Sequence, residues 1–269
     1  MKPNRRSPTL PATPWRGAVL GACAGVLLAV LWGAPARWLA SGVRWATQDR
    51  VQLRDARGTV WSGSAALTLT GGTGSHDARS LPSRLQWRLA WAWPGLSLTL
   101  SSACCTPTPL QWQVSAGWQH IELALQDQQS VWPMALLTGL GAPWNTLQAE
   151  GRLQWQSTAL RLDWTAGQLH WHGQSELQVH DLASRLSTLR PMGSYQLTLQ
   201  GAEPGTPTPS LTLATLQGPL RLSGQGQWLG QRLRFTGEAM AEPGHEDVLS
   251  NLLNIIGRRD GARSRLSLG

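Results

Sequence analysis

The sequence predicts a mainly β protein: a single N-terminal transmembrane helix followed by a mostly antiparallel, curved β-sheet domain with a few short helices. Three observations lead to this fold class. Residues 17–36 carry no charge and are bounded by Arg16 and Arg37. Beyond Val51, apolar and polar residues alternate, as in strands that bury one face and leave the other in water. Turns rich in glycine and proline separate the alternating runs.

The uncharged segment 17–36 has the length of a membrane-spanning helix, since twenty residues at about 1.5 Å each span about 30 Å. Ala34-Pro35-Ala36 resembles a signal-peptidase site, so a cleaved signal peptide is the alternative, although the segment is long for one. Leu20 to Cys23 resembles a lipoprotein cleavage box. We set that interpretation aside because only six residues separate Arg16 from Cys23.

Three glycines repeat at every fourth position of this segment: Gly17, Gly21 and Gly25. Small residues four apart let two membrane helices approach closely, so these glycines are candidate contacts with the anchor of another membrane subunit. An ordinary anchor rich in glycine and alanine is the alternative. Basic residues flank both ends of the segment in similar number, so the positive-inside rule does not orient it.

Tryptophans dominate the predicted strands, with sixteen Trp against one Phe and one Tyr in the chain. In the run 85–93, leucines and tryptophans share one face, and the runs 110–114, 160–165 and 169–179 repeat the alternation. The simplest interpretation is that the tryptophans form the core or the concave face of a curved sheet. The alternative is an apolar groove for a lipid acyl chain or an extended peptide.

Short helices are predicted at three places by apolar residues at helical spacing: 131–140, 180–189 with Asp181 as its cap, and 246–256. Gly257 follows the last of these, where a helix end favours a residue of positive φ. The pattern then returns to alternation over 264–268. We interpret the block 218–269 as a cap that closes the end of the sheet.

The net charge of +8 does not indicate nucleic-acid binding. Five basic and no acidic residues lie within 1–37, so the remaining domain carries too small an excess for a phosphate-binding surface. A local basic cluster does lie near the C-terminus. It is either a solvated face or a site for an acidic partner surface. Its candidate contact residues are Arg232, Arg234, Arg258 and Arg259, with Arg263 and Arg265 beside them.

No catalytic motif is recognisable, and we expect no enzyme activity and no cofactor. The chain has no nucleophile elbow, no phosphate-binding loop and no zinc-protease signature. His170 and His172 have ligand-like spacing, but solvent-facing strand histidines explain them better than a metal site. Cys104 and Cys105 are adjacent, which leaves a vicinal disulfide, two thiols or intermolecular pairing. We interpret them as a structural feature of a loop.

Several motifs resemble one known family. They are Gly58-Thr-Val-Trp-Ser-Gly63, the run LSTLRPMGSYQLTLQG over 186–201, and GQGQW, RLRFTGEA and NLLNIIGRRDGARS in the block after Gly218. Together they resemble protein N of the bacterial type II secretion system, most strongly after Leu186.

The resemblance implies an inner-membrane component of the apparatus that exports folded proteins across the outer membrane. It implies a cytoplasmic tail over 1–16, the transmembrane helix over 17–36, a juxtamembrane linker over 37–50 and a periplasmic β-rich domain over 51–269. The residues themselves suggest a subdivision of that domain, with a boundary near 142–146 or in the proline- and glycine-rich segment 202–209. The expected partners are other inner-membrane and periplasmic secretion subunits. The alternative function is a periplasmic lipid- or hydrophobe-binding domain.

Overall fold

One antiparallel sheet makes up most of the chain. The structure, a computed structural model, describes residues 15–118, 120–165, 167–202, 208–230, 232–261 and 263–269. Within those residues sixteen strands belong to a single sheet, in the order β1-β2-β4-β5-β6-β7-β9-β10-β11-β12-β13-β14-β16-β15, with β3 paired to β2 and β8 paired to β9. The prediction of a mainly β, antiparallel fold with few helices is confirmed.

Nearly every strand pairs with its neighbour in sequence, because short turns return the chain beside itself. The strands are β1 Val51–Gly58, β2 Ser62–Thr70, β3 Ala78–Ser80, β4 Leu85–Ala92, β5 Gly95–Ser102, β6 Leu110–Ala116, β7 His120–Leu125, β8 Gln128–Pro133, β9 Glu150–Thr165, β10 Gln168–Ala183, β11 Gly193–Gln200, β12 Ser210–Gln217, β13 Leu220–Leu229, β14 Arg232–Ala241, β15 Arg258–Asp260 and β16 Arg263–Leu268.

The helices lie outside the sheet. They are α1 Trp15–Trp32, α2 Ala36–Ala46, α3 Trp144–Leu147 and α4 Glu246–Ile256, with a 3-10 helix over Met134–Leu140. Residues 1–34 and 35–269 form separate units, so α1 belongs to the first and the whole sheet to the second. The second unit continues through 142–146, one of the two boundaries suggested by the sequence, and most of the other, 202–209, lies outside the described residues.

The N-terminal segment differs from its prediction. The helix α1 ends at Trp32, and Pro35 and Ala36 already belong to the unit that contains the sheet. In the part of the chain that the structure describes, no helix has both the length and the apolar character needed to cross a membrane. The segment expected to be a linker, 37–50, contains most of α2, whose Ala36 and Leu39 pack with Ala65 and Trp87.

The predicted helix over 180–189 is wrong. Residues up to Ala183 extend β10, which pairs with both β9 and β11. Asp181 lies where both registers shift, with a φ of 55°, and its carboxylate accepts a hydrogen bond from Arg152. It therefore occupies a β-bulge and caps no helix. The helix expected over 131–140 is short and begins at Met134, since the preceding residues form β8.

The C-terminal block closes one end of the sheet, and its helix α4 has the predicted bounds. Its buried leucines, Leu249, Leu252 and Leu253, pack against Tyr195 and Leu220 on the sheet. Gly257 is extended, with a φ of −167°, so the expected positive φ is wrong. The glycine is needed for space instead, because a Cβ there would lie 2.3 Å from the carbonyl oxygen of Arg265.

Tyr195, the only tyrosine of the chain, is buried in the same core. Its hydroxyl donates a hydrogen bond to the carbonyl of Leu220 at 3.0 Å. Burial raises the pKa of this phenol well above its ordinary value near 10.

We therefore expect the stability of the domain to depend on pH in the alkaline range. The contribution of Tyr195 is fully present below the unfolded-state pKa near 10 and is lost as pH rises beyond it, because only the unfolded state then releases the proton. Absorbance at 295 nm reports this tyrosinate alone. It is expected to appear together with the loss of the far-UV circular dichroism signal. Tyrosinate that forms while the sheet is intact would contradict the burial.

Candidate interaction surfaces

Three of the predicted basic residues share one face of the sheet end. Arg258 pairs with Arg265 across β15 and β16, and Arg265 pairs with Glu238 of β14. Residues an even number apart on a strand share a face, so Arg234 and Arg232 lie on the same side as Glu238. All three side chains, Arg232, Arg234 and Arg258, are exposed. We call them the basic face.

The charges of the basic face are open to a partner. Its neighbours are already paired: Arg265 with Asp260 at 2.9 Å and Arg263 with Glu238 at 3.4 Å. Among the described residues, the structure shows no ion pair for Arg232, Arg234 or Arg258. An open groove of about 960 Å³ lies beside Arg258, lined by residues that include Gln225, Thr236 and Glu238.

Arg259 does not belong to this face. It pairs with Ser264, whose own partner is the buried Ala239, so it points to the side of the sheet that carries α4. Its guanidinium donates hydrogen bonds to the carbonyl of Ser250 at 3.2 Å and to the side chain of Asn254 at 3.4 Å. These contacts hold β15 against α4, which makes Arg259 a structural residue.

The glycine row of the N-terminal segment lies in α1. At Gly21 and Gly25 an added Cβ would meet no atom within 4 Å, so this side of the helix is uncovered in its own unit. Gly17 belongs to the same helix. Contact of these glycines with another helix stays a prediction.

Cys104 and Cys105 form a vicinal disulfide. Cys105 is buried in a small core with Leu81 and Leu136. Its carbonyl accepts a hydrogen bond from the backbone of Val131 at 2.8 Å, which ties the loop to β8. The bridge therefore acts as part of the packing, in agreement with the structural interpretation.

The two strand histidines face water, as the sequence predicted. His170 and His172 are both exposed, and the Nδ1 of His172 lies 3.2 Å from the carbonyl oxygen of Ala202, which accepts a hydrogen bond when that nitrogen carries the proton. Within the described ranges, no cluster of three or more histidines, cysteines or carboxylates is arranged to hold a metal ion.

The tryptophans of the sheet differ in exposure, where the sequence suggested one shared buried face. Trp87 is buried, and its indole N–H donates to the carbonyls of Thr59 and Val60 in the Gly58–Gly63 turn. Trp91 and Trp93, predicted to share its buried face, are instead exposed, as are Trp118 and Trp164. These four tryptophans lie in or next to turns. Alternation shows which face a residue occupies but does not show how far along the strand that face is covered.

Comparison with known proteins identifies the chain. The family model of protein N of the type II secretion system (T2SS) matches residues 49–266, which is most of the sequence. No curated protein and no solved structure matches the chain. The matched range contains all but the last two residues of the sheet, with the basic face and the Gly58–Gly63 turn. Membership of the family carries a role in type II secretion together with other components of that system. The chain therefore belongs to the type II secretion system protein N family.

Proposed function

We propose that this protein is an inner-membrane subunit of the type II secretion apparatus that acts by binding other subunits during assembly, without chemistry of its own. The basic face carries the proposal. Arg232 and Arg234 lie two residues apart on β14, and Arg258 lies on the same face of the sheet two strands away, while neighbouring cations are paired within the chain. A cluster of this kind attracts and orients an acidic protein surface.

The membrane location is part of the proposal and rests on the sequence of 17–36, which is uncharged throughout. The N-terminus would lie in the cytoplasm and the sheet in the periplasm. The disulfide between Cys104 and Cys105 supports a periplasmic location of the sheet, because disulfides persist in oxidising compartments such as the periplasm.

Charge reversal in the native host tests the assembly role. In a strain that lacks the chromosomal gene, the chain with Arg232, Arg234 and Arg258 replaced by Glu is expected to fail to restore export, because repulsion replaces attraction at the partner surface. The matched control replaces three exposed arginines elsewhere in the sheet by Glu: Arg54 of β1, Arg88 of β4 and Arg161 of β9. We expect this control to restore secreted protein in the medium.

Two outcomes would contradict the proposal. If the deletion strain exports type II substrates normally, the chain has no role in that process in its host. If the control and the basic-face variant restore export equally, the basic face makes no contact that export requires. Immunoblots of each variant establish that the compared chains are present in equal amounts.

A further inference from the structure

Four exposed tryptophans of the strands and turns lie along one rim of the sheet. Trp118 is 97% exposed, Trp93 86%, Trp91 71% and Trp164 51%. Trp91 and Trp93 lie at the β4–β5 turn, Trp118 lies at the β6–β7 turn, and Trp164 lies near the end of β9 before β10 begins. We call these four residues the tryptophan rim.

Strand register places the three turns together. Ala92 pairs with Gly95 at the first turn, and Gly95 pairs with Ser115 on β6. At the second turn Ala116 pairs with Ile121, and the adjacent His120 pairs with Thr165 of β9. The turns are therefore neighbours on the same side of six adjacent strands, β4 to β7 with β9 and β10.

The side chains behind the tryptophan rim are apolar as well. Trp91 pairs with Leu96 and Leu96 with Val114, while Ile121 pairs with Trp164 and Trp164 with Leu169. These pairs share one face of the sheet. Segments 89–98 and 164–169 contain no charged residue, and 114–121 contains only a histidine. Turns in water are ordinarily polar, so an uncharged rim of this kind indicates a surface that is covered in the working protein.

The chain enters the sheet unit on this same side. Pro35, the first residue of the unit, forms a bridge with Thr59, which follows the end of β1. Ser62 pairs with Arg88, only three residues, or about 10 Å along the strand, from Trp91. Pro35, where the sheet unit begins, therefore lies on the tryptophan side of the sheet.

We infer that the tryptophan rim lies in the interfacial region of the lipid bilayer. This rests on the proposed membrane location of 17–36, which would hold Pro35 at the bilayer surface. Tryptophan favours that region because its ring is apolar while its N–H reaches water and headgroups. Arg37 and Trp38, both exposed at the start of α2, are the residue types found at the same depth.

The depth of the rim is measurable with nitroxide labels on the full chain. The protein is reconstituted in vesicles of phosphatidylethanolamine and phosphatidylglycerol, without reductant so that the disulfide persists. Single cysteines are introduced in a Cys23→Ala background. A label at Trp118→Cys reports the depth of the tryptophan rim itself. A label at Ala116→Cys reports the depth beside the same turn while all four rim tryptophans are in place. Thr108→Cys is the matched control, since it is exposed in the β5–β6 loop at the opposite rim.

We expect labels at 118 and 116 to collide severalfold more with oxygen, relative to a water-soluble nickel chelate, than the label at 108. A label on native Cys23 of the otherwise unchanged chain reports whether the N-terminal segment is in lipid. If the label at Cys23 is in lipid while the labels at 116 and 118 are as accessible to the nickel chelate as the label at 108, the inference is wrong. The proposed membrane location of 17–36 then still stands. If the label at Cys23 is also accessible to the nickel chelate, the membrane location of 17–36 and the interfacial position of the tryptophan rim are both wrong. Protection of 116 and 118 from oxygen and nickel together would show a protein contact and would equally overturn the inference.

Discussion

Replacement of Trp87 by Ala is expected to lower the free energy of unfolding by about 3–5 kcal/mol, the range for large aromatic side chains removed from a core. Trp87 is 4% exposed and packs against Ala36 and Ala65, so it joins α2 to the sheet. Its indole N–H also donates to the carbonyls of Thr59 and Val60, at 3.2 and 3.0 Å. The substitution leaves a cavity and removes the donor that holds the β1–β2 turn.

Urea unfolding of the full chain in detergent solution, followed by far-UV circular dichroism, measures this loss. Trp118→Ala is the control, because it makes the same chemical change at a side chain that is 97% exposed. Its free energy of unfolding is expected to stay within about 0.5 kcal/mol of the parent. Equal losses at the two positions would contradict the burial of Trp87 and the exposure of Trp118.

The turn beside Trp87 gives a physical meaning to a motif that the sequence could only match. Gly58 has a φ of 90°, which favours glycine, and Ser62 donates its backbone N–H to the hydroxyl of Thr59 at 3.1 Å. At Gly63 a Cβ would lie 2.5 Å from the ring of Trp87. The two glycines and the tryptophan are therefore required together, and the motif is a device of packing.

The fold was predictable where local pattern and tertiary contacts agree. The alternation over 85–116 needed only the antiparallel pairing that nearby turns supply. The segment 180–189 has leucines at helical spacing, yet Val179 pairs with Leu153 and Tyr195 on either side, and these contacts extend the strand. Tertiary pairing overrides a weak local preference, and one sequence does not reveal the partner strands.

The two interaction surfaces, the basic face and the tryptophan rim, were predictable from the sequence only in part. Alternation alone placed Arg232 and Arg234 on the charged side of their strand. It could not separate Arg258 from Arg259, because the two face opposite sides of a three-residue strand whose register depends on β16. The tryptophan rim depends on which strand ends are left uncovered, which is a property of the whole sheet.

Replacement of Leu253 by Ala is expected to lower the free energy of unfolding by about 2–5 kcal/mol. Leu253 is 1% exposed and lies in the core that α4 forms with Tyr195, Leu220 and Ala239. This core is the main apolar attachment of α4, and Arg259 adds polar contacts between that helix and β15. A cavity at Leu253 therefore weakens the closure of the sheet end that presents the basic face.

The same urea experiment compares Leu253→Ala with Ile255→Ala, a change on the same helix at a side chain that is 58% exposed. The exposed variant is expected to lose far less stability, because little of its side chain leaves water on folding. If the two variants lose the same amount, α4 does not pack through its Leu249–Leu253 side, and the C-terminal block would not close the sheet. If only Leu253→Ala is destabilised, closure of the sheet end is established independently of any secretion partner.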